Sequence, residues 1–286
     1  MRDVSVVSMK KIGYLLSASL SLLALGQLHS QPLTIVAAEN FYGGVAAQVA
    51  GSSAMVTSIM SNPNQDPHEF QTDADTAKAV ANADIVIYSG IGYDSWMEKL
   101  ISAQTKQRRV VIKVSDLIGA KAGDNPHIWY DPRTMPALVT KLASILNKPD
   151  AVMEFSKSMK PLLEEIAKLQ PKARGVKVTA TEPVFGYMAN ALGFEMLNDG
   201  FQLAVMNDTD PSFEQTADFE KSLVSKTARI LFCNSQVSNP ATQRMQALAK
   251  GNGIPVVGVT ETQPDDAKTY AQWMLSQLRS VEAFLK

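Results

Sequence analysis

Three histidines occur in the 286 residues, and two of them stand in nearly the same setting. His68 lies in Asp66-Pro67-His68-Glu69-Phe70, and His127 in Asn125-Pro126-His127-Ile128-Trp129-Tyr130-Asp131-Pro132. Proline fixes its own φ and keeps the residue before it out of the helical region, so each imidazole emerges from a stiff turn that sets its direction. A single loop histidine is more often solvated or hydrogen-bonded than ligating, but two alike turns point to a matched pair of nitrogen ligands. Two carboxylates can complete such a set: Glu182 follows the β-branched run 176–180, and Glu261 follows the apolar run 255–259. Either glutamate would serve equally as a plain helix N-terminal residue favoured by the macrodipole. Glu39-Asn40 and Asp265-Asp266 are competing polar positions. Cys233 is the only cysteine, which excludes an intramolecular disulfide and thiolate-rich zinc or iron–sulfur sites, and its place after Ile230-Leu231-Phe232 reads as a small buried hydrophobe. Two imidazoles and two carboxylates suit Mn²⁺, Fe²⁺ or Zn²⁺.

For these four residues to meet, strand ends must carry them. Short apolar runs at 33–36, 54–59, 85–88 and 109–114 read as strands, and segments with helical spacing at 41–50 and 72–83 lie between them. The alternation recurs at 176–180, 194–197, 229–232 and 255–259. Alternation of this kind builds parallel α/β sheets, which hold ligands at the carboxyl ends of their strands. Between the two series, residues 150–169 place Val152, Phe155, Met159, Leu162, Leu163, Ile166 and Leu169 at intervals of three and four, with Pro149 before and Pro171 after. The reading is an α/β chain of two pseudo-symmetric lobes with parallel sheets: an N-terminal lobe over 27–148, a long bridging helix over 149–171 that Pro161 kinks or splits, and a C-terminal lobe over 172–286. Trp96, Trp129, Trp273, Tyr42, Tyr88 and Tyr93 read as core or cleft wall, and the thirteen methionines as core filler.

Composition narrows the partners. Twenty-seven basic and 28 acidic residues leave a net charge of -1, which gives no electrostatic basis for nucleic acid or an anionic membrane. Arg2, Lys10 and Lys11 precede the apolar run 13–26, too short to span a bilayer, and this reads as a secretory signal over 1–26; His29 stands just past that boundary and is not counted among the ligand candidates. No cysteine follows that run, so the expectation is a monomeric periplasmic protein without lipid attachment or membrane insertion of the mature chain.

The two histidine turns, the opening Ile35-Val36-Ala37-Ala38-Glu39-Asn40-Phe41-Tyr42, the stretch Ala83-Asp84-Ile85-Val86-Ile87-Tyr88-Ser89-Gly90, Thr181-Glu182-Pro183-Val184-Phe185-Gly186-Tyr187 and Gly258-Val259-Thr260-Glu261-Thr262 together resemble the zinc and manganese solute-binding proteins of ABC importers, the cluster A-I or metal-binding lipoprotein and adhesin family. The resemblance implies two lobes bridged by a rigid helix, one ion in the cleft between them, and delivery of that ion to an ABC permease in the inner membrane. It implies that His68 and His127 are the first lobe's ligands and Glu182 and Glu261 the second's. Glu182 stands where zinc members usually carry a third histidine and manganese members often carry glutamate, while Glu261 replaces the usual aspartate. Residues 118–124 lack the histidine-rich loop of many periplasmic zinc members. These departures favour an oxygen-richer, manganese-like site, with zinc and iron as the other cargoes. Capture needs neutral imidazoles and ionised carboxylates, so acid should promote release. Asp66 and Asp131 are equally turn caps or acceptors for imidazole N–H groups. The rival classes are a metal-dependent hydrolase, for which no His-Glu-x-x-His helix is present, and a surface adhesin.

Overall fold

The computed structural model describes residues 32–63, 70–104, 106 and 108–285. The proposed signal segment and the Asp66-Pro67-His68-Glu69 turn lie outside the described residues.

Among the described residues, eight short strands form two sheets. β1 (Leu33–Glu39), β2 (Ala54–Met60), β3 (Ile85–Tyr88) and β4 (Val110–Lys113) pair in parallel in the order β2-β1-β3-β4. β5 (Lys177–Ala180), β6 (Glu195–Leu197), β7 (Leu231–Asn234) and β8 (Val256–Val259) repeat that order as β6-β5-β7-β8, again in parallel. The central strands are buried on both faces, as β3 and β7 are along their whole length, and this dictates unbroken apolar runs there. Edge strand β2 alternates between half-buried and exposed residues and accordingly mixes Thr57 and Ser58 into its run.

A 24-residue helix, Asp150–Ala173, joins the halves and spans about 36 Å at 1.5 Å per residue. Pro171, read from sequence as the residue beyond its end, lies inside it, as does Pro161. Both are absorbed without interrupting the element. Phe155, Met159, Leu162 and Leu169 face the core, whereas Val152 and Leu163 of the same apolar pattern are exposed.

One hydrophobic cluster runs through both lobes. It holds Ile35, Phe41, Ile87 and Trp129 from the first, Phe155 and Leu162 from the joining helix, and Val178, Phe185, Phe232 and Trp273 from the second. Within it, Phe41 stacks on Trp129 at 4.7 Å between ring centroids, Tyr130 meets Phe185 at 5.6 Å, and Phe185 stacks on Phe232 at 4.4 Å. No described helix is long and apolar enough to cross a membrane.

Candidate metal centre

The strand order places β1 beside β3 and β5 beside β7, and at these junctions successive connections leave the sheet in opposite directions, opening a crevice at the carboxyl ends. In the second lobe, Glu182 follows β5, Asn234 ends β7 and Glu261 follows β8. Glu182 is the residue preceding a 3-10 turn, Pro183–Phe185, but its side chain makes no capping bond there. It turns instead to Asn234, whose Nδ2 donates to Glu182 Oε2 at 2.9 Å and to Glu261 Oε1 at 2.6 Å. All three side chains are buried.

The first lobe supplies His127 from the residue before another 3-10 turn, Ile128–Tyr130. Its imidazole is wholly buried, with Nδ1 held at 2.7 Å by Asn125 Oδ1. With that oxygen as acceptor, Nδ1 carries the proton and Nε2 presents its lone pair. Nε2 has no hydrogen-bond partner among the described residues, yet it lies 3.4 Å from Glu261 Oε2. That separation is long for a hydrogen bond. It matches the roughly 3.4 Å between two ligands that each sit about 2.1 Å from one tetrahedrally bound ion.

Tyr93 closes the other side by donating from its hydroxyl to Glu261 Oε2 at 3.0 Å. Burial and the Glu261 charge raise the phenol's pKa well above its ordinary value, so it stays a donor. Asp94 fixes the loop carrying Tyr93 by accepting from the backbone N–H groups of Ser89 and Gly90. Gly90 has φ +82, and a β-carbon there would collide with Lys113, so the turn requires glycine.

Several bonds lock the lobes together around this point. Asn125 Nδ2 donates to the Pro183 carbonyl at 2.7 Å, passing over Gly186, where a β-carbon would come within 2.8 Å of that nitrogen. Tyr187 Oη donates to the Asn125 carbonyl, Tyr130 Oη to the Thr260 carbonyl, and Asn40 exchanges two bonds with the Gln263 backbone. Gln236 accepts from the Glu261 and Thr262 N–H groups and donates to the Pro63 carbonyl at 2.9 Å, on the segment leading toward His68.

Of the four residues read as ligands, His127 and Glu261 therefore face each other, Glu182 joins them through Asn234, and His68 lies outside the described residues. Among the described residues no three His, Cys, Asp or Glu side chains close directly into a metal cage. The competing acids resolve differently. Asp265 and Asp266 are exposed. Glu39 is buried beside Asp94, where burial first and the Asp94 charge second raise its pKa well above the ordinary carboxyl value. Asp131 pairs with Arg133 and caps its own turn, leaving Asn125 as the acceptor for the imidazole. Cys233 is buried with its thiol raised by desolvation.

Asn125, Asn234 and Gln236 are absent from the sequence reading of the centre, and Tyr93, read there only as core or cleft wall, bonds to Glu261 within it. A signal existed for two of them: Asn234 and Gln236 form a polar Asn-Ser-Gln step at the carboxyl end of an apolar strand, the position that pointed to Glu182.

A family model described as zinc-uptake complex component A, periplasmic, matches residues 35–283. The manganese-binding lipoprotein MntA of Bacillus subtilis (strain 168) is 28% identical over 251 residues, 81% of this chain and 80% of that protein. The iron ABC transporter substrate-binding lipoprotein MtsA of Streptococcus pyogenes serotype M1 is 26% identical over 255 residues, 79% of each chain. Among solved structures, the periplasmic zinc-binding protein TroA from Treponema pallidum matches with a TM-score of 0.70 at 18% identity, covering 90% of this chain and 99% of that one. At that identity the likeness speaks for the fold alone.

Proposed function

The chain belongs to the periplasmic zinc-uptake component A family, and on that premise we propose that it captures one divalent transition-metal ion and delivers it to an ABC permease in the inner membrane. It acts as a binding protein and not as an enzyme, exported through residues 1–26, with lobes over 27–148 and 172–286 joined by 149–171. The observation that carries this reading is the buried pair His127 Nε2 and Glu261 Oε2 at 3.4 Å, spaced as two ligands of one ion are. Glu182 and His68 complete the set, the first through its place beside Asn234 and the second through its matching proline turn. Manganese is the preferred cargo because two carboxylates supply hard oxygen and offset the ion's charge; zinc and iron are the other candidates. The relatives named above are described by manganese and by iron, so the family itself does not select one.

Metal content should be measured by mass spectrometry on protein purified from its native compartment, because zinc outcompetes manganese in most such sites in vitro. Near-stoichiometric manganese in the native chain, lost in His68→Ala and replaced by zinc in Glu182→His, is the expected outcome. Zinc in every sample would retain capture and reject the manganese preference. No metal in any sample would overturn the reading.

A further inference from the structure

We propose that the base of the second lobe binds the phosphate group of an organic phosphate ester, at the opposite end of the sheet from the metal centre. A cavity of about 770 Å³ opens there, within the range of roughly 300–1,000 Å³ typical of small-molecule sites. The amino ends of the strands form one wall: Lys177 begins β5, and Arg229 lies two residues before β7. Two further cations line the same cavity, Lys172 from the last turn of the joining helix and Lys226 from the turn leading toward β7. No acidic side chain is among the described residues that line it.

Exposed lysines are common on any surface, and what marks these is the first lobe. The two sheets correspond strand by strand: Ile85 of β3 pairs with Ile35 and Val110 as Leu231 of β7 pairs with Thr179 and Val256. Asp84, immediately before β3, closes the base of the first lobe by accepting from the Thr34 N–H at 2.9 Å, the Thr34 hydroxyl at 2.8 Å and Lys106 Nζ at 2.7 Å. The corresponding residue before β7 is Ile230, so the second lobe lacks that carboxylate. Lys177 has only Glu195, 4.0 Å away and outside the cavity, and nearby Glu282 is tied to Lys168 at 2.5 Å. Lys172, Lys226 and Arg229 enter no ion pair among the described residues. Four neighbouring cations repel one another, and an anion with close to two negative charges relieves this. A phosphate monoester carries that charge near neutral pH, arginine grips it through two parallel N–H bonds, and lysines serve it as point charges. Phe284, 45% exposed, and buried Ile254 add an apolar wall, which favours an ester with an organic group over the bare ion.

The test titrates the full mature chain calorimetrically with inorganic phosphate and with phenyl phosphate, and sediments it with vesicles of phosphatidylglycerol or of phosphatidylcholine. Phenyl phosphate should bind about tenfold more tightly than inorganic phosphate, the gain expected for a ring packed on Phe284. Phe284→Ala should abolish that preference. Lys226 has φ +56, a conformation that asparagine tolerates, so Lys226→Asn removes the charge without straining the turn. Combined with Arg229→Gln it should weaken phenyl phosphate binding about tenfold or more, with melting temperature and zinc affinity unchanged. Sedimentation with phosphatidylglycerol and not with phosphatidylcholine, lost in the double variant, would assign the phosphate to a lipid headgroup. Binding of the soluble ester without sedimentation would assign it to a free ester. No saturable binding of any phosphate probe, or equal binding by the folded double variant, would overturn the proposal. The site stands apart from the metal reading: a native chain that takes phenyl phosphate but no metal would overturn capture and leave this site standing.

Discussion

The sharpest constraints act on single side chains. Asn125 does two things at once, accepting the Nδ1 proton of His127 and donating to the Pro183 carbonyl next to Glu182. Asn125→Ala removes both, so metal affinity should fall about 10- to 100-fold, read by chelator competition, with Asn125→Asp recovering part of it by keeping the acceptor. An unchanged affinity would mean the imidazole is oriented by something else. Glu39 offers a test in stability. Its folded-state pKa lies well above the ordinary 4.5, and that of its neighbour Asp94 is raised by burial to about 6. A carboxyl raised on folding binds its proton more tightly in the native state, so stability is greatest at low pH and is lost as pH rises from about 4.5 through 6 and above. Glu39→Gln replaces the neutral acid with a permanently neutral amide. Its melting temperature should exceed that of the native chain at pH 8 and approach it at pH 5; parallel curves would show that Glu39 does not titrate across this range.

At the scale of elements, the joining helix Asp150–Ala173 carries Pro161 on its exposed side, where the missing N–H is tolerated but not favoured. Pro161→Ala should stabilise the chain by about 1–2 kcal/mol, raising Tm by roughly 2–8 °C in calorimetry; a lower Tm would show that packing depends on the proline's bend. The central strands are legible in the sequence because parallel strands buried on both faces must be unbroken apolar runs, as in Ile85–Tyr88, whereas the partly exposed edge strand β2 shows only as a mixed run at 54–59. It erred at the helix end because Pro171 was read as a stop, while the helix runs on to Ala173. The ligand candidates were legible for the same reason as the strands: carboxyl ends of parallel strands are where polar residues face a crevice. What stayed hidden was the amide framework. Asn234 and Gln236 are marked by the polar step that ends β7, but their partners, and the role of Asn125, are recognisable only once residues 125 and 183, or 63 and 236, are known to touch, since no local pattern encodes those distances. The common strand order of the two sheets was equally invisible, since it is a property of pairing and not of residue type.

For the molecule as a whole, one core shared by both lobes and the helix between them means that the halves cannot part without breaking the ring contacts of Phe41 and Tyr130 with Trp273 and of Tyr130 with Phe185 and opening them to water. Heating should therefore give a single calorimetric transition, and two resolved peaks would contradict the shared core. The same packing has an optical consequence. Trp129 lies 5.3 Å from the His127 ring and 4.7 Å from Phe41, while Trp273 lies 5.8 Å from Tyr130 deeper in the series. An ion at His127 would sit within collision range of the Trp129 indole. Manganese and iron, with unpaired d electrons, should dim the emission of Trp129, whereas closed-shell zinc should leave its intensity largely intact. In a chain carrying both Trp96→Phe and Trp273→Phe, which leaves Trp129 as the one tryptophan, the fluorescence would then report which cargo is aboard, in solution and in real time.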